Sequence, residues 1–431
     1  YARVDNKILV IGGIDPYCSH CLHENQPQPQ KQQGSRMVSI EHPKNSINNV
    51  NVNNKDTWFP NCGDQVLIYD ISVMEWRHLS YIPLGSRHHH SAVLCDGLIY
   101  VIGGTKTALG CTKKSTFEKS IWCFDPTTLK WVFESSLPES RRDFAVIAIN
   151  EQTMCSHCQD CKDMSRHDIG FFIIGGESTN GVALNSVWFY SMRPPLNKGR
   201  YGFAAAVVNN EIWVAGGIVK EGSIAMGGGS GSGGAGAGAG GDCGDGDGDG
   251  DDGDGEIIKT STNVITDTIE IYNLKCIHES NSDTRSLAYG SEHGAGGDGV
   301  ERFTGQWIPL KLHLRMPRLF GRFCVMGNGG LYLVGGLGFD KHGVLISLSD
   351  IDNFDFERKQ WWHCGDLKWP RHGHDVGIIN DYCIVAVGGV STFEKRTLNK
   401  VETFCTQTRK CLADLPDLSF PLSGCAVVTI Q

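Results

Sequence analysis

The sequence lacks any run of about 18 uncharged apolar residues, so no segment reads as a membrane-spanning helix. It also lacks a basic excess. The formal net charge is −9, and residues 241–256 hold seven Asp, one Glu and no base, which accounts for −8 of it and leaves −1. A partner held by its phosphates needs a basic face, so nucleic acid is excluded. Cysteine is not scarce, at 17 residues, but it lacks regular spacing and an even count. A secreted disulfide framework is excluded on that ground, and a reducing, cytoplasmic compartment is expected. Cys95, Cys123, Cys324, Cys383 and Cys425 fall inside strand patterns, where a free thiol packs as a small apolar group. No nucleophile–base motif is present, so no catalytic residue is assigned. The chain opens on Tyr1 without a signal-peptide pattern and is read as part of a longer polypeptide.

What is present is repetition. Residues 99–104 read IYVIGG, a short apolar run closed by two glycines. The phrase recurs at residues 8–13, 172–176, 212–217, 331–336 and 384–389. Six copies of one strand with the same ending indicate a repeat protein. Around residues 99–104 the unit is clearest. Residues 87–95 form one strand, Asp96-Gly97 a tight hairpin turn, residues 98–104 the next strand, then residues 120–125 and a strand through Trp131. An aromatic–acid pair precedes a tryptophan at fixed distance in three units: Tyr69-Asp70 before Trp76, Phe124-Asp125 before Trp131, Phe354-Asp355 before Trp361, each six residues past the acid.

Glycine pair, aromatic–acid pair and tryptophan recur in that order along nearly the whole chain, and in this the sequence resembles the kelch family of β-propellers. The expected fold is therefore all-β, a six-bladed propeller of four-stranded antiparallel blades. Its structural residues are the glycine pairs Gly12/Gly13, Gly103/Gly104, Gly175/Gly176, Gly216/Gly217, Gly335/Gly336 and Gly388/Gly389, with Trp76, Trp131, Trp307 and Trp361. Blade 1 lacks a first strand and residues 424–430 form an unassigned one, so the C-terminal strand is expected to close the ring; residues 1–4 compete for that place. Residues 191–200 leave blade 3 only a vestigial outer strand, and blade 6 has Cys411 at the tryptophan place. Residues 15–64, 151–169, 218–263 and 275–304 read as flexible insertions into one domain spanning residues 1–431.

No metal or cofactor is assigned. The Asp-Gly tract matches a calcium-loop pattern from Asp245 to Glu256, but it repeats Asp-Gly throughout and no helix pattern flanks it. The thiols Cys18, Cys21, Cys155, Cys158 and Cys161 have zinc-like spacing, yet the two groups fall in insertions leaving opposite faces. His88, His89 and His90 alternate sides along a strand and do not converge.

Binding is sought where the repeats stop agreeing. Arg87, Arg141, Arg200, Arg318 and Arg371 lie at equivalent strand starts, with Pro421 at that place in blade 1, and a repeat-wide arginine reads first as structural. The partner-binding candidates are Arg87, His88, His89, Arg142, Asp143, Tyr201, Leu319, Phe320, His372 and Leu422, on the rim of a central channel. Basic and imidazole groups there suit an acidic motif. The resemblance implies a non-catalytic module that binds a protein or peptide. In kelch-like proteins with BTB and BACK domains the propeller recruits substrate and the BTB part holds a cullin-3 ubiquitin ligase; no such domain is in this sequence. A related propeller binds actin, which gives a cytoskeletal scaffold as the alternative. Copper oxidases of kelch-like fold need paired Tyr and His ligands on the axis, a set not assembled here.

Overall fold

A computed structural model describes residues 7–15, 63–70, 73–83, 85–106, 116–149, 170–189, 191–221, 262–274, 306–412 and 415–430. The interiors of all four insertions, with the calcium-like tract and the five CxxC-type thiols, lie outside these residues. So do residues 1–4. No helix among the described residues is long and apolar enough to cross a membrane.

The described residues form six four-stranded antiparallel sheets, with short two- and three-stranded ladders beside them. Sheet one joins Ala426–Ile430, Lys7–Ile11, Gln65–Asp70 and Glu75–Tyr81. Sheet two is Ser91–Cys95, Leu98–Ile102, Ser120–Asp125 and Lys130–Ser136, and sheet three Ala145–Ile149, Gly170–Ile174, Val187–Phe189 and Ser191–Arg193. Sheet four is Ala204–Val208, Glu211–Ala215, Thr268–Asn273 and Ile308–His313. Sheet five is Arg322–Val325, Leu331–Val334, Asp350–Asp355 and Gln360–Asp366, and sheet six Asp375–Asn380, Cys383–Val387, Val401–Cys405 and Lys410–Cys411. First strands of consecutive sheets neighbour one another in order, and Ala426–Ile430 touches both Asp375–Asn380 and Ser91–Cys95. The core lies between sheets: Leu9 and Ile11 meet Ile99 and Phe124 across sheets one and two, and Ile8 and Tyr69 meet Val385 and Val401 across one and six.

The repeated phrases have physical causes. Both glycines of each pair have positive φ, for example 66° and 94° at Gly388 and Gly389, a region side chains enter only at a cost. The second glycine's amide donates to the carbonyl of the residue leading the next unit: Gly13 to Arg87, Gly104 to Arg141, Gly176 to Arg200, Gly217 to Arg318, Gly336 to Arg371 and Gly389 to Leu422. The pair is thus a stitch between neighbouring sheets. A Cβ built at Gly388 would stand 2.4 Å from the Leu422 carbonyl oxygen, whereas one at Gly97 (φ 74°) meets nothing within 4 Å. Gly97→Ala should therefore cost only the left-handed strain of about 1 kcal/mol, and Gly388→Ala roughly 2 kcal/mol more for overpacking. Urea midpoints of the two variants check this, and equal losses would refute the stitch.

The aromatic–acid and tryptophan spacing is a hairpin register. Tyr69 faces Trp76, Phe124 faces Trp131 and Phe354 faces Trp361 directly across strands, with ring centroids 5.2, 4.7 and 5.1 Å apart. The acid heads the turn between. Asp125 Oδ1 accepts the Thr127 and Thr128 amides, and Asp355 Oδ1 those of Glu357 and Arg358. The tryptophans also tie sheets together: Nε1 of Trp76, Trp131 and Trp307 donates to Pro416 O, Ser80 Oγ and Pro194 O. Trp307 keeps this place against Tyr272 (5.4 Å) although an insertion separates the two.

Four details depart from the sequence reading or refine it. Residues 87–95 are not one strand: His89 has φ 53° and breaks it into Arg87–His88 and Ser91–Cys95. The segment 218–263 is not loop at its ends, because Ile218–Glu221 pairs with Thr262–Ile265. Blade 3's outer strand is short but present, Ser191–Arg193. The sixth equivalent of the strand-start arginines is Leu422 and not Pro421, since the Leu422 carbonyl takes the stitch from Gly389 and Ala426 pairs with Ile11 as Ser91 does with Ile102.

Candidate functional site

The five arginines point inward. They are 0–2% exposed, and each except Arg87 donates Nη1 to the first glycine's carbonyl in its own unit: Arg141 to Gly175 (2.9 Å), Arg200 to Gly216 (3.1 Å), Arg318 to Gly335 (3.2 Å) and Arg371 to Gly388 (2.8 Å). Arg87 instead bonds Ser120, to both its carbonyl and its hydroxyl. Nη2 of the others reaches a side chain on or just before the third strand: Ser186 Oγ, then the buried carboxylates Glu270 and Asp352 (each 2.5 Å) and Glu402. These are scaffold contacts, and they remove Arg87 from the exposed rim. The three carboxylates were missed in the sequence, although each lies two residues before the unit's aromatic (Tyr272, Phe354, Phe404).

The residue after each arginine bridges the chain just past the unit's own glycine pair: His88 to Thr105, Arg142 to Glu177, Tyr201 to Ile218, Leu319 to Leu337 and His372 to Val390, with Ser423 to Ile14 the equivalent in unit one. His88, Leu319 and Leu422 are buried (6, 5 and 4% exposed), while Arg142, Tyr201 and His372 keep open surface.

One residue further on, all six units turn left-handed: His89 (53°), Asp143 (53°), Gly202 (63°), Phe320 (55°), Gly373 (61°) and Gly424 (63°). These residues hold hands through the backbone. Gly424 N donates to Gly373 O, His89 N to Gly424 O, Asp143 N to His89 O, Gly202 N to Asp143 O and Phe320 N to Gly202 O, all within 2.7–3.1 Å. Glycine would serve at every one of these positions. Three instead carry strained side chains, a pattern associated with sites. The rings of His89 and Phe320, from units two and five, approach with centroids 6.5 Å apart.

The electrostatics differ from the expected basic rim. Arg142 is paired with Glu177 (2.7 Å), approaches Asp143 (3.7 Å) and lies over the Phe117 ring. Burial, reinforced by Arg142 and its neighbours, holds His88 down to about 3 and His89 down to about 4; burial alone holds His372 down to about 4. Neutral imidazoles and a compensated arginine give no cationic surface, so the acidic-motif expectation loses its basis. What the sequence reading overlooked lies on the segments following the glycine pairs of units five and six. The hairpin Leu337–Phe339/Leu345–Ser347 exposes Phe339, Val344 and Leu345, and the adjoining loop exposes Phe393 at 60%. Ser347 and Thr392 exchange two hydrogen bonds that hold these segments side by side.

Of possible metal ligands, the one cluster found among the described residues is Asp350, Asp352 and His363, and Asp352 is already bonded by Arg315 and Arg318, each at 2.5 Å.

Residues 86–138, covering the second unit, match the family model described as the Kelch motif. That unit carries a Kelch motif. The chain is similar to beta-scruin of Limulus polyphemus, 22% identical over 379 residues, and to alpha-scruin of the same organism, 20% identical over 377, each match covering 85% of this chain and 32% of the scruin. Kelch-like protein 23 of Homo sapiens is 29% identical over 148 residues, 33% of this chain and 25% of that protein. The chain thus spans about a third of the length of the scruins it matches. A solved structure of YjhT superposes with a TM-score of 0.50 at 14% identity, over 81% of this chain and 90% of that one, a likeness of fold.

Proposed function

We propose that this kelch-repeat chain is a non-catalytic, cytoplasmic protein-binding module, one domain whose six sheets are the blades of a propeller closed by the C-terminal strand. The glycine stitches running from each unit to the next, and from Gly389 back to Leu422, support the closure. The observation that carries the binding role is the make-up of one end of the molecule. Phe339, Val344, Leu345 and Phe393 stand exposed there, on the end where Arg142, Tyr201, Phe320 and His372 keep open surface. Exposed aromatic and aliphatic anchors with polar neighbours are the composition of protein-recognition surfaces.

Two partner classes are in view, actin in a cytoskeletal assembly and a substrate of a cullin-3 ligase joined through a BTB domain. The extent of the matches favours the first: the scruins align with 85% of the chain and Kelch-like protein 23 with 33%. Co-sedimentation with actin filaments tests it. The chain should pellet saturably with filaments, and Phe339→Ser with Phe393→Ser should weaken binding at least about tenfold, the effect of losing a hot-spot side chain. Both residues are solvent-facing, so the variant should melt like the wild type. A chain that stays in the supernatant removes actin. Affinity capture that returns a ligase substrate sensitive to the same substitutions would then favour the adaptor.

A further inference from the structure

Unit six carries Phe404-Cys405 where units one, two and five carry an aromatic and an acid, and Cys411 stands six residues on, at the tryptophan place. The turn it heads is the same turn. Arg409 has φ 56° and donates to the Cys405 carbonyl at 2.8 Å, as Leu129 (57°) does to Asp125 at 2.8 Å, and Lys359 holds the same place at 53°. That turn is built to hold an anion at its head, through two amides pointed at one side chain. In sheet two they meet a carboxylate with the Thr128 hydroxyl beside them. In sheet six the Gln407 and Thr408 amides and the Thr408 hydroxyl serve a thiol.

A second cysteine faces it. Cys383 is directly opposite Cys405 in the antiparallel register, and both are free. The next pair outward, Tyr382 and Thr406, is joined by an amide–carbonyl bond of 2.9 Å. Hydrogen-bonded and non-hydrogen-bonded pairs alternate, so Cys383 and Cys405 form a non-hydrogen-bonded pair, whose Cα atoms lie about 4.5 Å apart with side chains closest. A disulfide spans Cα separations of roughly 4.4–6.8 Å. Cys411 is paired with Phe404, so it points to the other face of the sheet and donates to Asp366 O.

We propose that Cys405 and Cys383 are a redox dithiol, in which a peroxide oxidises Cys405 and Cys383 resolves it to a cross-strand disulfide. The Cys405 thiolate attacks the peroxide; the S–O bond forms, the O–O bond breaks and hydroxide leaves. The Cys383 thiol then attacks the sulfenic sulfur; the S–S bond forms, the S–O bond breaks and water leaves. Two thiols lose two electrons and two protons, and one hydrogen peroxide becomes two waters. Burial alone would raise the Cys405 thiol, but the Thr408 hydroxyl and amide, the Gln407 amide and Cys383 outweigh it and hold the thiol below its ordinary value. Burial pushes Cys324 and Cys425 up to about 12. Cys405 is only 5% exposed, but it lies at the strand end beneath an exposed turn with Tyr382 40% exposed beside it, within reach of a small oxidant.

The test uses the whole reduced chain, exposed to hydrogen peroxide, alkylated, and digested with trypsin without reductant. Residues 372–395 and 401–409 are separate tryptic peptides with one cysteine each, and residues 411–431 hold Cys411 and Cys425. Peptides 372–395 and 401–409 should appear joined, two hydrogens lighter than their sum, and separate again with a dithiol reductant. Cys405 should lose its thiol at least about tenfold faster than Cys324, following thiolate fraction. In Cys383→Ser, dimedone should label peptide 401–409 as a sulfenic acid; in Cys405→Ser, Cys383 should stay alkylatable. Equal rates at Cys405 and Cys324, or Cys405 joined to a cysteine other than Cys383 in the wild type, would overturn the proposal without recourse to a variant.

Discussion

Lowering the pH from 7 towards 4 should unfold the chain. Five histidines are held neutral by the fold. Burial, with Arg142 and neighbouring rings, keeps His88 down to about 3 and His89 down to about 4; burial keeps His372 down to about 4; and burial with nearby arginines keeps His90 and His374 well below the ordinary value. An unfolded histidine takes its proton near pH 6.5. Between 6.5 and 4 the unfolded chain therefore binds protons that the folded chain cannot, and stability falls as pH falls. The contribution is fully present above about 6.5 and is lost as pH drops through that window, on the order of 3 kcal/mol for each histidine shifted to about 4. Two such residues already approach the 5–15 kcal/mol that holds a typical domain together. Asp143 acts with the opposite sign. Burial pushes its carboxyl up to about 7, so what it contributes is present below about pH 3.8 and lost as pH rises through 7; burial raises Asp64 and Asp375 as well, and three carboxyls do not offset five imidazoles. Urea midpoints measured from pH 7.5 to 4.5 should fall steeply below 6.5, and His372→Asn should flatten the slope. A midpoint flat to pH 5 would mean that the imidazoles are not sealed from solvent.

How much of this was legible in the sequence depends on the kind of signal. The glycine pairs could be counted because two successive left-handed residues closing a strand leave almost no choice but glycine. The aromatic–acid and tryptophan spacing was legible because a hairpin of fixed turn length fixes which rings meet, and Tyr69, Phe124 and Phe354 do face their tryptophans. The strand start of unit one was misplaced by one residue because it has no arginine to align, and apolar alternation tolerates Pro421 at the place that backbone bonding gives to Leu422. The break at His89 was invisible, since a histidine in the left-handed region announces nothing that a histidine in a strand does not. Nothing local in the sequence marks Glu270, Asp352 and Glu402 as buried. Their burial is set by arginines 31–70 residues earlier, a pairing that only the closed arrangement of strands within a unit brings together. The exposed apolar side chains beyond the glycine pairs of units five and six were not legible, because their segments resemble ordinary loops until their partners across the ladder are known.

Arg371→Ala should be the costliest of the arginine substitutions, and the reason separates two kinds of buried arginine. Arg371 is fully buried; its guanidinium bonds the carbonyls of Gly388 (2.8 Å), Lys400 (2.9 Å) and Trp369 (3.2 Å) and the Glu402 carboxylate. Glu402 is 1% exposed and also accepts the Lys368 and Trp369 amides, so it cannot swing into water when the arginine goes. The variant leaves a buried carboxylate without a counter-charge, at about 3–5 kcal/mol. Arg141 occupies the same place in unit three but bonds the Gly175 carbonyl and the Ser186 hydroxyl, with Glu139 4.0 Å away and half exposed. Arg141→Ala orphans neutral acceptors only, at about 1–3 kcal/mol. Urea unfolding of the two variants should thus differ by roughly 2 kcal/mol. Adding Glu402→Gln to Arg371→Ala should recover much of the loss, because the uncompensated charge is then gone, while Glu402→Gln alone should destabilise by leaving Arg371 unpaired. Equal losses for Arg371→Ala and Arg141→Ala, with no recovery in the double variant, would assign the arginines' role to carbonyl capping alone and leave the buried carboxylates of units four to six without a share in stability.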